Sequence, residues 1–343
     1  MSAAPDHRPT FARAGLSDRL APWLPLLLVP LLMVFGWLAI PSTSSWLTLT
    51  VSGLAMGMMI FLMASGLTLV FGLMDVINFG HGAFISLGAF VGVSVLLALA
   101  SWTAAASLPL NLAALGLALV AAVLVTGTMG WLFERVIVRP VYGAHLKQIL
   151  VTMGGLIVAE QLILVIWGPA QIFITRPEML KGAVTFAGAA LEKYRLVAVA
   201  LGLIVFLAMR LVLRHSRIGL IVRAGVQNGE MVQALGYRLR LVFIGTFVAG
   251  SALAGLGGVM WGLYDEVITA DMGASLMVLV FIVVIIGGLG SVEGCFLGAL
   301  LVGLVQNYAA FLEPKLAMVS NIALLVAVLM WRPEGMMAVV KSK

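Results

Sequence analysis

Apolar residues fill most of this chain in runs of about twenty, and polar residues gather in short stretches between them. As an α-helix, such a run spans about 30 Å, the thickness of a bilayer's hydrocarbon core. The runs are Pro22–Ile40, Trp46–Gly72, Gly82–Ser101, Leu110–Phe133, Lys147–Gly168, Tyr194–Leu213, Leu241–Gly262, Ser275–Gly287, Ser291–Phe311 and Leu316–Trp331. They predict an all-α, polytopic membrane protein with about ten transmembrane or partly spanning helices. Ser275–Gly287 is short for a full crossing and is expected as a broken or partial helix. The first run follows Arg8, Arg13 and Arg19, as in a signal peptide. It is longer than a typical signal core and has no small-x-small cleavage pattern before Pro41, so it reads as a retained span.

Composition strengthens this picture. With 343 residues, 62% hydrophobic and only 10% charged, the chain carries more apolar surface than a soluble domain of that size can bury. The net charge of +6 does not point to nucleic acid, because the cations sit in short segments between apolar runs. Arg8, Arg13 and Arg19, then Arg135, Arg139 and Lys147, then Arg214, Arg217, Arg223, Arg238 and Arg240, then Lys341 and Lys343 mark four regions. Placing all four in the cytoplasm agrees with every intervening span count. The chain then divides into a basic cytoplasmic extension (1–21), a transmembrane domain (22–333) and a cytoplasmic tail (334–343). Leu263–Ala274 and the mixed-charge Pro169–Lys193 fall outside.

Two glycine-rich interruptions stand out, Leu69–Phe84 and Ile285–Ala299. They are expected to break helices at matching places in two like-oriented four-helix halves. Backbone released from helical hydrogen bonding cannot face lipid, so each break must lie within protein, a water-lined cavity or the interface. Candidate pathway residues are Asn78, Phe79, His81 and Gly82 in the first, and Gly287, Gly288, Gly290 and Ser291 in the second, with Gln161 and Asn307 inside spans. For Asn78 and His81, capping and loop satisfaction compete with solute contact. For Glu160, Gln161, Gln306, Asn307 and Asn321, hydrogen bonding between helices competes with a pathway role. Gly250, Ala254, Gly257 and Gly258 read as a close-packing face.

The polar island Arg214–Arg240 exceeds what a connection needs. Asn228 can cap a short helix, Glu230 suits its positive end, Met231 and Leu235 share a face, and Gly236 can end it. A docking knob and a solvated connector both fit. No phosphate loop, GxSxG, HExxH or paired-cysteine pattern occurs, and Cys295 is a lone cysteine in an apolar stretch. No cofactor or metal is expected. The remaining classes are a transporter driven by partners, a stand-alone secondary transporter or channel, and an intramembrane enzyme.

The chain resembles the LivH-type permeases of ABC importers for branched-chain amino acids. The resemblance rests on INFGHG (Ile77–Gly82), ERVIVRPV (Glu134–Val141), the Arg217–Tyr237 segment, GGLGSVEG (Gly287–Gly294) and RPEG (Arg332–Gly335), in that order. It implies one half of a heterodimeric pore in a bacterial inner membrane. The implied partners are a LivM-type second permease, two cytoplasmic ATPase subunits of the LivG and LivF type, and a periplasmic binding protein. It also implies that Ala224–Tyr237 docks on an ATPase, making Arg223, Ala224, Asn228, Glu230, Met231, Val232, Ala234, Leu235 and Gly236 coupling residues. Met231 and Val232 depart from the small residues common after the acidic position. Related systems carry amides, urea or aromatic acids, so the resemblance does not single out a substrate.

Overall fold

The computed structural model describes residues 24–227 and 229–337. The expected basic extension, the end of the expected tail and Asn228 lie outside the described residues. Helices dominate: α1 (Leu24–Ala39), α2 (Thr43–Met74), α3 (His81–Ala98), α4 (Leu108–Phe133), α5 (His145–Trp167), α6 (Lys193–His215), α7 (Arg217–Gln227), α8 (Gly229–Ala234), α9 (Leu239–Asp265), α10 (Met272–Gly287), α11 (Val292–Leu312) and α12 (Pro314–Trp331). Local chemistry sets several ends. The Ser42 and Ser291 hydroxyls accept the Ser45 and Gly294 N–H groups at the starts of α2 and α11. Asp75 turns left-handed at φ 53° to end α2.

Among the described residues, seven helices are long and apolar enough to cross a bilayer: α2, α3, α4 with its continuation to Val141, α5, α6, α9 and α11. Shorter apolar helices occupy Leu24–Ala39, Met272–Gly287 and Val319–Trp331. Among the described residues, four short strands interrupt this all-helical pattern. β1 (Ile172–Phe173) pairs antiparallel with β4 (Val267–Ile268), and β2 (Ala183–Phe186) with β3 (Ala189–Glu192). The sequence suggested only loops there, because strands of two to four residues are too short for period-two patterning to register. The β2–β3 turn has positive φ at both Ala187 and Gly188, as a tight hairpin requires.

The bundle centre is α2, α3, α9 and α11 packed through bare backbone. An added β-carbon on Gly57 would lie 2.7 Å from Ala299 O, and one on Gly250 2.7 Å from Gly66 O. Gly250, Ala254, Gly257 and Gly258 are all buried, so the small face of α9 does close-pack. Around the centre, α5, α6 and α12 present mostly apolar, exposed surfaces.

The packing contains an internal correspondence. α2 packs on α11 as α9 packs on α4; α3 packs on α9 as α10 packs on α2; α3 pairs with α4 as α10 pairs with α11. α2 and α9 run antiparallel, Gly66 meeting Gly250 and Met63 meeting Gly257. α3 and α10 are also antiparallel, with Phe79 on Phe281 and Gly82 beside Gly273 and Met277. α2–α5 and α9–α12 therefore form an inverted pair, not the like-oriented halves expected from the glycines. The segment answering Asp75–Gly80 is 266–271, which contains no glycine, and not Ile285–Ala299. Hydrogen bonds hold that turn instead. Ile174 N–H donates to Glu266 O, and Arg176 donates to Leu263 O and Tyr264 O while pairing with Glu192 and Glu266.

Replacing Arg176 with Met uncaps the α9 carbonyls and removes the ion pair of Glu266, while Glu192 keeps its pair with Arg195 at 3.0 Å. The expected cost is about 2 kcal/mol, read as a lower thermal midpoint of the detergent-purified protein. An unchanged midpoint would show that the strand pairs hold the turn alone.

Candidate functional site

His81 opens α3 well inside the bundle. Its Nε2 donates to the Met63 carbonyl at 2.9 Å, and Met63 precedes the end of α2 by eleven residues, about 16 Å of helix. Asp75–Gly80 therefore runs back along α2 before α3 begins. α10 starts at the same crossing. Gly82 and Gly273 touch through backbone, an added β-carbon on Gly82 lying 2.8 Å from Gly273 O. The Ser86 hydroxyl donates to Ala270 O at 2.7 Å and accepts Gly273 N–H at 2.9 Å. Ala270 and Gly273, expected in an outer loop, instead pack on the first turns of α3.

A polar shell surrounds the first break. Phe79 N–H donates to Thr152 Oγ1 at 3.2 Å, Thr152 donates to Gln148 O, and Gln148 Nε2 donates to Val141 O. Glu134 begins a π-helical turn, Glu134–Val138, that continues α4 and carries the ERVIV residues. The Tyr142 hydroxyl donates to its carboxylate at 2.5 Å. Burial first, and the Glu134 carboxylate second, push the Tyr142 phenol above its ordinary range, so it remains a donor. Asn78 Nδ2 and Oδ1, His81 Nδ1, Glu134 Oε2 and Gln148 Oε1 are buried without hydrogen-bond partners. Orphaned groups in such number are uncommon in a packed interior. Thr152, Gln148 and Ser86 drew no attention in the sequence, since hydroxyl and amide residues in apolar helices are common and only folding brings these to the break.

The second glycine-rich segment forms a tight turn between α10 and α11. Gly288 and Gly290 have φ of 96° and 81°, values that favour glycine. Gly287 packs on Gly294 and Cys295, and Gly290 on Gly72, so the two glycine-rich segments touch. Met336 and Met337 N–H groups donate to Ile286 O and Gly287 O, closing the turn from outside. The other expected pathway residues are dispersed. Gln161 is exposed on α5 next to half-buried Glu160. Asn307 Nδ2 donates to Gly303 O within α11, and Asn321 donates to Gln306 at 2.9 Å between α12 and α11.

The polar island folds as two helices, α7 and α8. Val232 is buried, whereas Met231, Ala234 and Leu235 are exposed, and Ala224 is half-buried. Gly236 follows α8 at φ 86° with open space around it. Arg223 and Glu230 lie on α7 and α8 by backbone. Beside this end of the molecule Arg214 pairs with Glu293 at 2.8 Å, joining α6 to the start of α11.

A helical bundle with long apolar helices, two shorter helices starting inside it and a helix pair projecting between spans is the build of a polytopic membrane permease. The family model for the branched-chain amino acid transport system permease component matches residues 49–329, and the chain belongs to that family. It is 28% identical over 304 residues to the high-affinity branched-chain amino acid transport system permease protein BraD of Pseudomonas aeruginosa, covering 87% of this chain and 97% of that one. LivH of Escherichia coli strain K12 is 27% identical over 299 residues, 83% of this chain and 93% of LivH. A probable LivH of Methanocaldococcus jannaschii is 22% identical over 258 residues, 74% and 78% respectively. No solved structure matches the chain.

Proposed function

We propose that this chain is one permease subunit of an ATP-driven importer in a bacterial inner membrane, moving branched-chain amino acids or related small solutes. The observation that carries this reading is the α7–α8 pair. It buries Val232 while exposing Met231 and Leu235 beyond the end of the bundle. Apolar side chains held on a short helix between spans suit a groove on a partner subunit. The cations of Arg214, Arg217, Arg238 and Arg240 on this side favour a cytoplasmic location, and the partner is then an ATPase. The nearest carrier of its movement is α9. This helix runs unbroken from Leu239 beside α8 to Asp265 beside β4, packing on α2, α3 and α4 along the way. Closure of two ATPase subunits would move α8, tilt α9 and change which side of the bundle is open.

The exposed face of α5 supports a second permease as neighbour. Gln161 and half-buried Glu160 lie midway along an apolar helix, and polar groups at that depth are costly against lipid. A homologous permease facing α5 would shelter them and complete the pathway. The strand-bearing end, with Phe173 and Phe186 exposed, then faces the binding protein.

Reconstitution tests this. Proteoliposomes containing both permeases and both ATPases are expected to accumulate substrate only with internal ATP and external binding protein. Uptake by this chain alone, following an ion gradient, would instead make it a secondary transporter.

A further inference from the structure

We propose that the start of α3 is a recognition point for the carboxylate of a zwitterionic, apolar α-amino acid, with the Asn78 amide as its contacting side chain; this deepens the importer reading and rests on it. Helix starts carry partial positive charge and unfilled N–H groups. Here two of them, from α3 and α10, meet inside the bundle. Their treatment differs. At α10 the Ser86 hydroxyl takes the Gly273 N–H. At α3 the residue before the helix is Gly80, which supplies no side-chain cap, and the His81 and Ala83 N–H groups turn back to the Asn78 and Gly80 carbonyls at 3.4 and 3.1 Å.

Asn78 sits at this uncapped start. It is 1% exposed, and neither amide atom has a hydrogen-bond partner. Its Oδ1 lies 3.1 Å from where a β-carbon on Gly80 would be, at the first turn of α3. A buried, unpaired amide is costly unless something occupies it, and an asparagine doing only structural work would be bonded to the chain. His81 adds an acceptor. Its Nε2 donates to Met63 O, leaving Nδ1 buried and without a partner. An unpaired cation would be far costlier in that position, so the ring is neutral and Nδ1 carries a lone pair.

Together these groups offer a donor on Asn78 Nδ2 beside the positive end of α3, and acceptors on Asn78 Oδ1 and His81 Nδ1. An α-amino acid presents a carboxylate and an ammonium on one carbon, which matches both kinds. The neighbouring surface is aromatic. The Phe133 ring edge abuts Gly80, Phe84 and Phe133 pack edge to face at 5.4 Å, and Phe79 lies on Phe281 at 4.9 Å. An apolar side chain fits that wall and a charged one does not. In this structure α3 and α10 touch at Gly82 and Gly273, so the recognition point is closed, and parting of the two helix starts would admit the ligand.

Two measurements test the site. In proteoliposomes holding the complete transporter, Asn78→Asp places a carboxylate where the ligand's must go, and leucine uptake is expected to fall at least about tenfold, mainly as a raised KM. In detergent without ATP, labelled leucine bound to the purified permease–ATPase complex should be displaced by 4-methylpentanoate, which keeps the carboxylate, far better than by 3-methylbutylamine, which keeps the amine. Asn78→Ala should erase that preference, and size-exclusion profiles of both variants report folding. Wild-type uptake by Asn78→Asp, or equal displacement by the two analogues, overturns the proposal. Failure of ATP-dependent uptake in the wild type overturns the importer reading instead, and the binding measurement still decides the site.

Discussion

A permease carrying Met231→Asp and Leu235→Asp is expected to fold and insert normally yet lose ATP-driven uptake by about 100-fold or more, because two apolar anchors are replaced by charges that a partner groove cannot desolvate. Met231 and Leu235 are 59% and 70% exposed, so a carboxylate at either position stays hydrated in the free subunit. Leu235 N–H donates to Met231 O at 3.0 Å, which stacks the two residues on one side of α8. Burying each at an interface is worth about 1.5–3 kcal/mol, and a loss of about 3 kcal/mol in docking corresponds to that factor. Copurification of the ATPase subunits with the variant measures docking directly. Retained copurification with normal coupled uptake would mean that α7 and α8 are only a solvated connector. The glycine beside them offers a milder test. Gly236→Trp meets no neighbour, but its φ of 86° costs a side chain about 1–2 kcal/mol, so partial uncoupling with assembly preserved is the expected result.

Gly258→Leu is expected to remove folded protein altogether. An added β-carbon there runs into the Ile85 carbonyl of α3, which is backbone and cannot rotate aside. α3 has little room to retreat, since Gly82 rests on Gly273 and Gly88 on Gly255. Overpacking of this kind costs about 3 kcal/mol, and more where several helices must separate. Gly245→Leu, in the same helix but with open space around it, is the matched control and should express like wild type. Size-exclusion profiles of fluorescently tagged protein compare the two, and equal monodisperse peaks would show that α9 does not close-pack as described.

The class of protein was legible without a structure because lipid imposes its rules on every stretch of sequence. Each span must be long, apolar and helical, so apolar runs announce themselves; the ten runs each coincide with a helix, of which seven among the described residues are long and apolar enough to cross. The short run Ser275–Gly287 lies within α10, a continuous helix of sixteen residues. The glycines at 287–290 marked a place where backbone bends tightly. They did not mark the partner of the first break. That partner, 266–271, is held by Arg176, Glu192 and β1, all far away in sequence, and no local pattern encodes such a contact. The strand pairs were invisible for the related reason that two residues cannot display a period.

Asn78 and His81 show the same division. Their residue types beside glycines were enough to nominate them from sequence, and so was the contest between capping and solute contact. Only folding could decide that contest, because it turns on what lies opposite each atom. The Met63 carbonyl takes one nitrogen of His81, and nothing takes the Asn78 amide. By itself the sequence determined that the chain is helical, multi-pass, belongs with the permeases it resembles, and carries a projecting polar insert. These follow from composition, from periods within one helix and from motif order. The tertiary structure decided the inverted pairing of α2–α5 with α9–α12, the meeting of two helix starts inside the bundle, and which buried polar atoms stay unpartnered. Those are set by contacts between residues as far apart in the chain as Thr50 and Tyr308, where packing and hydrogen bonding, not local preference, choose the outcome.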